Sequence, residues 1–156
     1  IGEVERAHQA LAYFMGHRRP LKWNHWAEVI YSDPLTPRFV GDAPHGWVGS
    51  DFLRSVRNLF VYEEADHLVL AAGIKPEWLE QGFSVRDLPT HFGKISFSGK
   101  RQGDVVSFDI TTGGAEEIPL KISLYGLCSG AGRALRLVVN GEDVTFSEGD
   151  SFVNVS

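Results

Sequence analysis

The sequence predicts a mainly β chain: an antiparallel β-sandwich preceded by two or three α-helices. Three observations carry that expectation. Apolar residues recur at three- and four-residue steps in the first 66 positions and at two-residue steps afterwards. Seventeen glycines and seven prolines punctuate 156 residues, a density that requires many turns. The apolar share, 43%, is enough to bury a core and excludes a disordered chain.

In the first stretch, Val4, Ala7, Leu11, Phe14 and Met15 lie on one face of a helix. It ends between Gly16 and Pro20, because proline cannot continue the helical ladder. Trp23, Trp26, Val29 and Ile30 predict a short further helix, and Ser32 to Pro44, with three prolines and a glycine, a loop. Trp47, Val48, Phe52, Val56, Leu59 and Phe60 form a second helical stripe reaching about Tyr62.

After Asp66 the pattern changes. His67 to Ala72 is a short apolar run of the kind buried on both faces, and Pro76 opens a single helical turn. Ile95 with Phe97, and Val106, Phe108 and Ile110, mark two strands with a turn at Gly99 to Gly103. Ile118, Leu120, Ile122 and Leu124 alternate in a strand that Pro119 assigns to a sheet edge. Leu135, Leu137 and Val139 lead into Asn140-Gly141, a two-residue hairpin signal, with Val144 and Phe146 on the return strand. Val153 and Val155 form a last strand. The division is therefore a helical segment, 1–66, and a β-sandwich, 67–156.

Composition also excludes function classes. The net charge of −5, without a lysine or arginine cluster, argues against nucleic acid or an anionic membrane as partner. No apolar run approaches the roughly 18 residues of a spanning helix. The single cysteine, Cys128, excludes an internal disulfide framework and a cysteine-cage zinc site. The chain starts at Ile1 without a secretory core, and residues 1–18 read as a helix cut from something larger.

The run Gly41-Asp-Ala-Pro-His-Gly-Trp-Val-Gly-Ser-Asp-Phe-Leu-Arg-Ser-Val-Arg-Asn-Leu-Phe resembles the end of the catalytic domain in bacterial (α/α)6-toroid, or six-hairpin, glycoside hydrolases. There an acidic-Pro-His-x-Trp loop enters the last barrel helix, which leads into a C-terminal β-sandwich. The segments starting Leu68-Val-Leu-Ala-Ala-Gly and Val85-Arg-Asp-Leu-Pro-Thr, and the closing Leu137-Val-Val-Asn-Gly-Glu-Asp-Val, are similar to that junction and sandwich. The resemblance runs from about Trp23 to the C-terminus. It implies that the helices are the remnant of a toroid whose N-terminal catalytic region is missing. It further implies that carbohydrate is met through the parent enzyme, which is secreted or periplasmic. Glycosidic cleavage needs two carboxylates flanking the bond, and no matched pair stands out here, so the chain itself is expected to be non-catalytic.

Candidate sugar-contacting residues follow. In a toroid, the loop carrying Asp42, His45 and Trp47 lines the pocket, where carboxylate and imidazole bind hydroxyls and the indole meets a sugar face. The plainer alternative has Asp42 in a turn and Trp47 in the core. Trp23, Trp26 and Glu28 form a second set; three of four tryptophans and four of six histidines lie in the first 66 residues. A truncated cleft leaves that enrichment behind, but tryptophans more often anchor interfaces, and a solvated helix carboxylate is the plainer role for Glu28. No cofactor and no metal is expected: His17 and His25 have no helical pairing, and Asp104, Asp109 and Glu116-Glu117 lack closely spaced oxygen ligands. Cys128 reads as a structural thiol, and Gly126 to Gly132 as a loop without the Lys-Ser/Thr ending of a phosphate cradle. A free-standing carbohydrate-binding module and a ligand-free interaction domain are the alternative functions.

Overall fold

A computed structural model describes residues 2–33, 35–36, 41–114, 118–127 and 136–155. Among these the chain forms three helices and nine strands in two mixed sheets, a mainly β fold with some helices. No helix among them is long and apolar enough to cross a membrane. The chain divides into two compact units, Glu5–Arg57 and Ile1–Val4 with Asn58–Ser156. Cys128, Gly130 to Gly132, Glu116-Glu117 and Leu135 lie outside the described residues.

The first unit is built on α1 (Val4–Gly16) and most of α2 (Gly46–Phe60). The last carbonyls of α1 are capped from just beyond its end. Arg18 donates from Nε to the Met15 carbonyl at 3.0 Å, and His17 donates from Nδ1 to that of Tyr13 at 2.7 Å. Between the helices, the segment expected to be helical at Trp23–Ile30 is turns and extended chain instead. Its backbone is committed elsewhere: the Trp26 carbonyl accepts the His45 N–H at 2.7 Å, and the Glu28 N–H donates to Asp42 at 2.9 Å. A helix would need those groups for partners four residues away.

In the second unit, one sheet holds β1 (Val61–Glu63), β2 (Leu68–Leu70), β6 (Leu120–Ser123) and β9 (Phe152–Val155), in the order β1-β2-β6-β9. The other holds β3 (Phe83–Thr90), β4 (Gly93–Gln102), β5 (Val105–Gly113), β7 (Arg136–Val139) and β8 (Glu142–Val144), in that order. The short α3 (Pro76–Gln81) has proline in its first turn, as the sequence predicts. Side chains from both sheets and α3 make one hydrophobic core, with Leu70, Leu79, Phe108, Ile122 and Leu137 almost wholly enclosed. β2 is buried at all three positions, as its unbroken apolar run requires.

Several expectations are corrected. Both sheets contain a parallel pair, β2 with β6 and β5 with β7, where antiparallel pairing was expected throughout. Alternation of apolar residues fixes which face of a strand is buried and carries no information on its direction. Pro119 lies just outside β6, which is an interior strand between β2 and β9; its carbonyl accepts the Leu68 N–H at 2.9 Å. The second helical stripe ends at Phe60, and Val61 to Glu63 pair with β2 as a strand. The return strand after Asn140-Gly141 ends at Val144, before Phe146. That turn itself has the predicted positive φ at both positions, 50° and 84°.

The turn expected at Gly99 to Gly103 is confined to Gly103-Asp104, and β4 runs on through Gln102. Gly99 sits inside the strand opposite Phe108, because the rings of Phe83 and Phe108 close over it. A Cβ there would stand 2.6 Å from Phe83 and 2.7 Å from Phe108. Gly99→Ala is therefore expected to destabilise the second unit by roughly 1–3 kcal/mol, read as a lower urea midpoint at unchanged slope.

Candidate functional site

The first unit is organised around Trp26, which is 6% exposed. Its ring lies 4.5 Å from that of Phe52 and 5.2 Å from that of Phe14, so α1, the connecting segment and α2 meet on one aromatic cluster. Its indole N–H donates to the Phe14 carbonyl at 2.8 Å, satisfying the one polar atom that burial would otherwise strand. The Trp26 carbonyl then holds His45, the residue immediately before α2.

Two rungs of backbone hydrogen bonding, Trp26 to His45 and Glu28 to Asp42, set these segments side by side. They bring together Glu28, Asp42 and His45, whose carboxylate oxygens and ring nitrogen lie within 4.8 Å of one another. Among the described residues this is the one convergent set of three such side chains; Asp104 and Asp109 belong to none. The Asp42 N–H also donates to Glu28 Oε2 at 3.4 Å. Gly41, at a φ of 60°, passes so close to Glu28 that a Cβ there would stand 2.8 Å from the Glu28 Cβ. Both carboxylates are exposed and His45 is half-buried.

Of the six candidates from sequence, Glu28, Asp42 and His45 thus form one cluster. Trp47 is next to it, its ring 5.9 Å from that of His45 and edge-on, and it is 81% exposed rather than in a core. Trp23 is 61% exposed, with its ring against His25 at 5.4 Å. Trp26 is enclosed and scaffolds the cluster. Glu28 is in a bend, not on a helix. Sequence reasoning did not join Glu28 to the Asp42–His45 loop, and it did not single out Gly41. The signal for the latter was the small residue directly before Asp42.

The second unit has a recess of about 370 Å³ lined by Ile110, Leu120, Val139 and Val155, with Thr112 and Asn140 as its polar members. It has no titratable wall, and Asn140 Oδ1 is already engaged by the Ile110 N–H at 2.7 Å. Acid–base chemistry has no group to use there. Comparison with protein-family models, curated proteins and solved structures finds no match to the chain.

Because Trp26 joins both helices to the loop, Trp26→Ala is expected to cost the first unit about 3–5 kcal/mol. The loss should appear as reduced helical circular dichroism at 222 nm and an earlier thermal transition.

Proposed function

We propose that the chain is the non-catalytic C-terminal part of an (α/α)6-toroid glycoside hydrolase. In this reading residues 1–66 complete the toroid, the Asp42–Trp47 loop contributes to the sugar cleft, and residues 67–156 form an accessory β-sandwich. The reading rests on the resemblance of the Gly41–Phe60 run to the last barrel helix of such enzymes. The observation that carries it furthest is the exposed indole of Trp47 beside the cluster of Glu28, Asp42 and His45. Carboxylates and imidazole suit sugar hydroxyls, and an open indole face suits the C–H face of a pyranose. The core shared by the two sheets is consistent with an accessory sandwich.

A free-standing carbohydrate-binding sandwich is the second reading. It is disfavoured by the second unit's surface, where Tyr125 is the one exposed large aromatic among the described residues, and its ring leans edge-on against Phe152 at 5.7 Å. Sugar-binding sheet faces need several such plates.

Isothermal titration of the 156-residue chain with an oligosaccharide panel tests both. The expected result is binding weakened about two- to tenfold by Trp47→Ala and untouched by Tyr125→Ala, with no release of reducing ends. Hydrolysis by the chain alone would overturn the non-catalytic reading. Loss of binding in Tyr125→Ala alone would move recognition to the second unit.

A further inference from the structure

We infer that Glu28, Asp42 and His45 form a site for a divalent metal ion of the zinc class. The inference stands on their geometry and holds whether or not the loop faces a sugar. One donor atom from each residue lies within 4.8 Å of the other two. Ligands bound at about 2.0–2.2 Å around a tetrahedral ion are about 3.4 Å apart. Both carboxylates are exposed, so their side chains can turn toward a shared ion.

The backbone is already held. The rungs from Trp26 to His45 and from Glu28 to Asp42 fix the spacing of the two segments before any ion arrives. Such preset donor spacing is what a metal site on loops otherwise lacks.

Electrostatics points the same way. Two carboxylates and an imidazole converge, and among the described residues no lysine or arginine pairs with any of them. The Asp42 carboxylate and both His45 ring nitrogens accept or donate no hydrogen bond there, and Glu28 is met only by the Asp42 N–H. Two carboxylates and an imidazole facing one another are donors that a single cation can share. The donor set selects the class: imidazole suits zinc and its neighbours, whereas calcium and magnesium take oxygen ligands throughout. Three protein ligands leave a coordination position for water or an incoming hydroxyl.

The test is calorimetric titration of the 156-residue chain with zinc chloride, alongside Glu28→Gln, Asp42→Asn and His45→Gln. Glu28→Gln keeps an acceptor for the Asp42 N–H, and unchanged circular dichroism verifies the fold of each variant. One ion per chain is expected, with each substitution weakening binding at least tenfold and His25→Gln leaving it unchanged. In the unaltered chain, manganese should broaden the NMR signals of the His45 ring and the neighbouring Trp47 indole. The inference is overturned by the absence of saturable binding at one ion per chain. Affinities of the three variants within twofold of the unaltered chain, or a His25→Gln loss as large as theirs, would overturn it equally.

Discussion

The indole of Trp26 fastens three stretches of chain, α1, the connecting segment and α2. Its ring takes up the apolar stripe of α1 through Phe14 and that of α2 through Phe52, and its N–H closes on the end of α1. Neither helix is long enough to persist unaided, and α1 has no fully buried residue. The cluster of Glu28, Asp42 and His45 depends on that anchorage, because the same residue's carbonyl positions His45. One residue therefore sets both the packing of the unit, through its ring, and the spacing of its polar groups, through its carbonyl.

The second unit is organised differently. Its core comes from residues of both sheets, and strand direction is secondary to the placing of apolar faces. Side-chain bonds reinforce the edges of that arrangement. Glu63 accepts the His91 N–H at 2.7 Å, tying β1 to the turn between β3 and β4. Arg136 and Asp143 pair across β7 and β8, and the guanidinium holds the Asp143 carboxyl below its usual range. The polar chemistry of this unit goes into joining strands, and its recess offers only apolar walls and two neutral side chains.

Much of this was legible where a local rule decides the outcome. The stripes of α1 and α2, the proline that opens α3, the buried run of β2 and the Asn140-Gly141 turn are all set by neighbours in sequence. What escaped is set by distant partners. β3 was unread because Pro89 and the irregular register between Val85 and Leu88 mask its alternation. Gly99 looked like a turn because the two rings that exclude a side chain there come from other strands. At the site, Asp42, His45 and Trp47 were visible as one loop. Their junction with Glu28 was not, since backbone rungs between two irregular segments leave no periodic trace.

The parallel pairing of β2 with β6 has a kinetic side. Leu68 finds its partner in Leu120, about fifty positions along the chain, with the whole β3–β4–β5 meander lying between them. Bringing such distant segments together has an entropic cost that an intervening collapsed meander reduces, because it shortens the effective span. The local hairpins should therefore assemble early and the first sheet seal late. Until it does, the apolar edge of β2 waits without its neighbour, the stage at which such a chain is most open to pairing with the wrong strand.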